Sequence, residues 1–279
     1  MNDWTLIIKP KTKWWDFNLS ALLKSRDLIW MFVWRDFVSL YKQTILGPLW
    51  FFIQPVLSTI VFTVIFGRIA KLPTDGLPQV LFYMCGIVGW NYFSDCLTKT
   101  STTFTANAGI FGKVYFPRLV IPLSIITSNL AKFIVQFFLF LGFLIFYFVR
   151  GAQIHPTIYI LLTPILLLIM AGLGLGIGII ISSLTTKYRD LQQLVGFGTQ
   201  LLMYLTPVVY PLSFISGKLK WLFLANPMTS IIETFKFAYL GVGEFNWMNL
   251  VYSAGFMIVV LLIGILIFNK VEKSFMDTV

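Results

Sequence analysis

Charged residues cut this chain into long apolar runs. Between Lys42 and Arg68 lie 25 uncharged residues, between Asp75 and Asp95 there are 19, and between Arg118 and Arg150 there are 31 broken only by Lys132. Further runs of 36, 27 and 25 residues separate Arg150 from Lys187, Asp190 from Lys218 and Glu244 from Lys270. About 20 apolar residues cross a bilayer as a helix. The pattern therefore predicts six transmembrane helices, near 49–69, 77–95, 119–148, 157–182, 191–211 and 247–268, in an all-α membrane protein. Residues 49–279 form one transmembrane domain, preceded by a separate segment over 1–48.

The first 48 residues read differently. "ALLKSRDLIWMFVWRDFVSLYKQ" is apolar but carries a charge every few positions. Lys24, Arg35 and Lys42 recur at intervals of eleven and seven, so they share one helical stripe, and Trp30 and Trp34 lie one turn apart. This is the pattern of an amphipathic helix lying in the membrane interface, acting either as an anchor alone or as part of a site. The segment is expected not to be a cleaved leader, being too long and too charged. Residues 211–246 are also too interrupted to cross, with Pro227, Glu233 and Lys236 among the apolar positions. They predict two short re-entrant helices at the outer face, joined near Asn226 and Pro227, because irregular backbone at membrane depth must be covered by protein or water.

Composition agrees with this reading. The 279 residues are 58% hydrophobic and 11% charged, against about 25% charged in soluble domains. The net charge of +10 is explained by Lys and Arg in cytoplasmic loops. With both termini inside, inner segments hold 14 basic residues and outer loops 6; this bias predicts a multi-pass protein of the cytoplasmic membrane. Nothing suggests nucleic-acid binding, since no basic stripe alternates with stacking groups. Cys85 and Cys96 lie eleven apart in one predicted helix, about 16 Å of rise, too far for a disulfide, and read as packing residues.

Candidate chemistry is sparse. The chain has no G-x-x-x-x-G-K-[ST] phosphate cradle, and one histidine with two cysteines makes no zinc site of four ligands, so no catalytic or metal residues are assigned. His155 reads as a solvated loop residue. Lys132 is the one charge within a predicted span; it either snorkels to the inner interface or faces a polar cleft with Gln136 one turn away. "GLGLGIG" at 172–178 makes two overlapping G-x-x-x-G pairs, Gly172/Gly176 and Gly174/Gly178, which let helix backbones approach in lipid; the apolar flanks exclude a nucleotide loop. Aromatic residues collect at helix ends: Tyr41, Trp50 and Phe51, then Trp90, Tyr92 and Phe93, then Tyr204 and Tyr210. They fit an interfacial belt, or a pore whose rings stack on the C–H faces of sugars.

Several motifs in series carry a resemblance: "YKQTILGPLWFFIQP" (41–55), "NAGIFGKVYFPRLVIPLS" (107–124), "SLTTKYRDL" (183–191), "TPVVYPLS" (206–213) and "LANPMTSIIETFKFAYLG" (224–241). In this order and spacing, from about residue 20 to 270, the chain resembles the permease subunits of type-2 ABC exporters for O-antigen, capsule or teichoic acid. The resemblance implies a homodimer bound to two copies of a separate ATP-binding subunit, which would carry the ATP and magnesium that this chain has no site for. It implies a coupling segment near 104–118, with Lys113, Tyr115, Phe116 and Arg118 pressed against the ATPase. The turn with Tyr188, Arg189 and Asp190 would lie beside it, touching the partner or bracing that segment. The cargo it implies is an undecaprenyl-diphosphate-linked glycan, O-antigen before the other two. Lys24, Arg26, Arg35 and Lys42 would meet the lipid pyrophosphate, the aromatic residues above would line the channel, and Asn226, Pro227 and Glu233 would belong to an outer gate. Two rivals stand beside it: a permease for a small hydrophobic compound, and a membrane-embedded glycosyltransferase. The scarcity of intramembrane carboxylates disfavours the second.

Overall fold

The computed structural model describes residues 19–42, 45–111, 113–114, 116–188 and 190–275. The expectations for Tyr115 and Arg189 fall outside these residues, as does the side chain of Tyr41. The described chain is helical throughout its ordered elements and contains no strand among those residues. Helices α1 (Leu19–Lys24) and α2 (Arg26–Tyr41) come first, followed by α3 (Trp50–Phe62), whose winding widens to a π-helix over Thr63–Ile69. Then come α4 (Gln79–Thr100), the short α5 (Thr103–Ala106) and α6 (Ala108–Phe111), and the long α7 (Val120–Val149). The second half holds α8 (Thr163–Thr185), α9 (Leu191–Tyr204), α10 (Lys218–Ala225), α11 (Pro227–Leu240) and α12 (Trp247–Phe275).

Among the described residues, four segments are long and apolar enough to cross a membrane: Gly47–Ile69, Val120–Val149, Ile158–Thr185 and Trp247–Glu272. They coincide with the predicted first, third, fourth and sixth spans. The predicted second and fifth spans have a different character. Helix α4 has 22 residues, about 33 Å at 1.5 Å per residue, but it continues past Asp95 to include Lys99. A charge is no boundary when the neighbouring helix neutralises it. Helix α9 stops at Tyr204 after 14 residues, about 21 Å, rather than reaching 211. Residues 206–209 are buried without regular helix, and Pro207 and Pro211 account for the break.

Helix α4 forms the centre. It packs against α3, α7, α8, α9 and α11, and its buried residues, from Leu81 to Thr100, occupy every face. The glycines of α8 explain how α8 fits between two neighbours. A Cβ on Gly174 or Gly178 would strike α4, at Cys96 Cβ (2.7 Å) and Thr100 Cβ (2.7 Å). A Cβ on Gly172 or Gly176 would strike α12, at Met257 Sδ (2.6 Å) and the Leu261 backbone N (2.9 Å). The two overlapping G-x-x-x-G pairs therefore serve different helices. Leu at Gly176 or Gly178 is expected to cost about 1–3 kcal/mol or more, because the obstructing atoms include backbone, and to lower the melting temperature in detergent. Gly255→Ala on α12, where nothing lies within 4 Å of the new Cβ, is expected to leave it unchanged or slightly raised. Cys85 and Cys96 are free and fully buried, as expected of packing residues.

Candidate functional site

A polar seam runs between α4 and α7. Asn91, Asp95 and Lys99 recur every four residues on α4, so one face of that helix carries all three. They meet Gln136, Lys132 and Asn129 of α7 in the reverse order. Asn91 Nδ2 donates to Gln136 Oε1 (3.4 Å), Lys132 Nζ to Asp95 Oδ2 (2.7 Å) and Lys99 Nζ to Asn129 Oδ1 (2.7 Å). Lys132 Nζ also donates to Gln54 Oε1 of α3 (3.2 Å). Sequence reasoning left two positions open for Lys132, snorkelling or a polar cleft; the lysine points to an acid across the helix interface. Asp95 marks a span boundary in the pattern of apolar runs yet lies within α4, and nothing in that pattern singles out Asn91, Lys99, Asn129 or Gln54. The signal was present in the four-residue repeat of polar groups on one helix and the matching repeat, opposite in charge at its centre, on another.

The seam also contains an orphan. Gln136 is 1% exposed, and among the described residues its Nε2 meets no hydrogen-bond partner.

The predicted channel aromatics divide by burial. Phe51, Trp90, Tyr92 and Phe93 are buried within the single chain, at 7%, 4%, 4% and 1% exposure. They pack against their own neighbours, as Tyr92 does against Phe133 (5.4 Å between ring centroids) and Trp90 against Phe93 (5.3 Å). Side chains held in this way present no surface to a passing molecule. Trp50 and Tyr204 are exposed. Tyr210 is half-buried and donates its hydroxyl to the Tyr204 carbonyl.

The segment around α5 and α6 is tied down from two sides. Phe104 stacks on Phe268 of α12 (4.5 Å), its N–H donates to Ser182 Oγ at the end of α8 (3.1 Å), and Gln192 Nε2 of α9 donates to Thr105 Oγ1 (2.8 Å). Helices α8 and α9 thus hold this segment through Ser182 and Gln192, on either side of the turn that carries Tyr188 and Asp190. Lys113, Tyr188 and Asp190 are exposed. Phe116 is half-buried between Phe32 of α2 (5.8 Å) and Phe111 (5.9 Å). Arg118 departs most from its predicted placement. It is 9% exposed, donates from Nη1 to the Glu272 carbonyl (2.7 Å) and lies 3.8 Å from the Glu272 carboxylate. A guanidinium on the carbonyls of a helix C-terminus satisfies groups that the helix leaves unpaired, so Arg118 secures α12 from within instead of facing outward.

The N-terminal cations are separated by a break. The backbone turns at Ser25 between α1 and α2, so Lys24 and Arg35 do not lie on one continuous helix and the predicted stripe is interrupted. Arg35 pairs with Asp36 (2.7 Å) and Arg26 with Asp27 (3.7 Å), while Trp30 and Trp34 remain exposed. Lys24 and Arg26 border one open hollow with Leu23 and Asp27, and Lys42 is exposed just past the end of α2.

Helices α10 and α11 meet at Asn226, as predicted. Asn226 caps α11 by accepting from the Met228 N–H (3.0 Å), and its amide donates to Leu205 O and Thr206 Oγ1. This ties α11 to the end of α9. Helix α11 is not a surface flap. Nearly all of its residues are buried, including Glu233 and Lys236 at 1% exposure each. Glu233 Oε2 accepts the Glu244 N–H (3.2 Å), and Lys236 Nζ donates to the Pro207 carbonyl and lies 3.7 Å from the Phe82 ring centroid. The cause is amphipathicity in reverse: the polar groups of α11 point into the protein, where Glu233 Oε2 and Lys236 Nζ find backbone partners, the Tyr239 hydroxyl meets Thr163 Oγ1, and Glu233 Oε1 has no hydrogen-bond partner among the described residues. His155 is exposed, as expected, and its N–H donates to Leu240 O (3.3 Å).

A bundle of long apolar helices around a polar seam, with short helices bracketing its ends, defines a helical integral-membrane protein. The profile of the ABC-2 type transporter family matches residues 27–240, and the chain belongs to that family. It is 29% identical to the O-antigen export system permease protein RfbA of Klebsiella pneumoniae over 94% of this chain and 97% of that protein. It is 30% identical to the O-antigen export system permease protein RfbA of Myxococcus xanthus over 77% and 81%. The polysialic acid transport protein KpsM of Escherichia coli is 24% identical over 88% and 93%.

Proposed function

We propose that the chain is the membrane-spanning permease subunit of an ATP-driven exporter of lipid-linked polysaccharide, with O-antigen the preferred cargo. The observation that carries this reading is the match to O-antigen export permeases across nearly the whole chain. In this reading the chain is a homodimer with two ATP-binding subunits, which hold ATP and magnesium, and the glycan travels on an undecaprenyl diphosphate. The chain crosses the cytoplasmic membrane six times with both termini inside. Helices α4 and α9 supply the second and fifth crossings. The polar face of α4 is met by α7 through three hydrogen-bonded pairs, and the irregular segment 205–211 is covered by α4 and α11, the condition under which non-helical backbone survives at membrane depth. Helices α10 and α11 are the re-entrant pair of the outer face.

Coupling to the ATPase falls to the exposed residues Lys113, Tyr188 and Asp190, with Tyr115 and Arg189 beside them in sequence. Phe116 and Arg118 act behind this surface, holding it against α2 and α12. Outer gating falls to Asn226 and Pro227, with Glu233 anchoring α11 to the 243–244 loop. Exposed Trp50 and Tyr204 remain as channel-lining aromatics, and Lys24, Arg26, Arg35 and Lys42 as contacts for the lipid pyrophosphate.

The test is deletion and complementation in the cell that carries the gene. Surface glycan is expected to disappear, with lipid-linked glycan accumulating on the inner side, and the intact chain is expected to restore both. Normal surface glycan in the deletion strain refutes the reading.

A further inference from the structure

The exposed mouth of the polar seam is chemically out of place. Gln54 lies on the outward side of α3, on a helix whose other exposed residues include Phe52, Leu57, Ile60 and Val61. Its Oε1 accepts from Lys132 (3.2 Å), while its amide nitrogen donates to no acceptor among the described residues. Behind it, Lys132 and Asp95 keep 13% and 24% of their side-chain surface accessible. One turn back along α3, Trp50 is 49% exposed and shares the stripe of Gln54. Deeper in the seam, Gln136 Nε2 is a buried donor without a partner among the described residues. Hydrocarbon offers such groups nothing, and polar side chains in membrane segments mark pathways or sites.

We infer that Trp50, Gln54, Asp95 and Lys132 form a binding station for the hydroxyl groups of a neutral sugar. The assignment rests on the export reading above and extends it to a site within the chain. The donor and acceptor set decides the ligand class. A sugar hydroxyl both donates and accepts. The Asp95 carboxylate accepts, the Lys132 ammonium donates, and the Gln54 amide does both. The Trp50 ring offers a flat apolar face to sugar C–H groups. A pyrophosphate fits poorly, because Asp95 lies 2.7 Å from the only cation of the set and cancels its charge. Acyl chains have no use for three polar groups. Contacts of this kind are individually weak, as a station on a sliding path requires.

The test places a photo-crosslinking benzoyl-phenylalanine at position 54, and separately at Leu57, in cells making their own surface glycan. Irradiation is expected to give an adduct of this chain that stains for carbohydrate at both positions, and none from the same probe at Leu168 on α8. Gln54→Leu is expected to slow the appearance of new surface glycan at least fivefold, with unchanged recovery of the complex with the ATPase, and Gln54→Asn to restore part of the rate. Adducts at 54 and 57 only with phospholipid or a second copy of the chain, or an unchanged rate in Gln54→Leu, overturn the site. The deletion strain keeps the two ideas apart. Loss of surface glycan there, without a carbohydrate adduct at 54 or 57, removes the station and leaves the export reading intact.

Discussion

Lys132→Met, with Asp95 left in place, is expected to destabilise the chain, by less than the roughly 3–5 kcal/mol that removing one partner costs in a fully buried ion pair, because Lys132 and Asp95 keep 13% and 24% of their side-chain surface accessible. The pair is the centre of the α4–α7 seam, with Lys132 Nζ 2.7 Å from Asp95 Oδ2. Two effects compete in its energetics. Bringing both charges out of water costs several kcal/mol each, and their attraction at low dielectric returns a similar amount. The intact pair is therefore near balance, whereas a lone carboxylate keeps the cost without the return. The prediction is accordingly asymmetric. Lys132→Met or Asp95→Leu alone should sharply lower the melting temperature and the yield of chain in detergent. The double substitution Asp95→Leu with Lys132→Met should recover most of that loss, because two apolar side chains of similar size replace two neutralised charges. Equal losses in the single and double variants would mean that the two groups act independently, contrary to the geometry.

The chain reconstituted alone in lipid vesicles is expected to move no glycan against a gradient. Adding the ATP-binding subunit with ATP and magnesium should raise transport from background to a rate proportional to ATP hydrolysis. The argument is one of energy supply. No phosphate cradle of the P-loop type occurs in the sequence. Among the described residues, Lys132 is held by Asp95 and Gln54, and the buried Glu233 and Lys236 each bind a backbone group. Ion-coupled carriers need titratable groups that change partners during the cycle. A seam in which lysine, acid and amides hold one another is built for position rather than for proton movement. Uphill transport by the chain without its partner contradicts this account directly.

Much of the helical arrangement was readable from the order of apolar runs, because a bilayer imposes one length scale on every crossing. The glycines of 172–178 likewise announced close packing, since only small residues permit it. Charge misled where it was taken as a boundary. Asp95 and Lys99 lie inside α4, made tolerable by Lys132 and Asn129 of another helix, and no single run of residues contains that information. Aromatic residues misled for a related reason. Trp50 and Phe51 are adjacent in sequence, yet one is half exposed and the other buried, because neighbouring residues on a helix point about 100° apart and rotation is set by packing. Arg118 looked like a surface cation until the end of α12 was placed over it.

By itself, then, the order of residues determined that this is a helical membrane protein, where its apolar segments lie, and that it carries no phosphate cradle of its own. Those properties follow from composition and spacing along one dimension. Tertiary structure decided which polar groups share the seam, which glycines face which helix, and that α11 turns its charges inward. These are matters of helix rotation and pairing, set by contacts between residues dozens of positions apart.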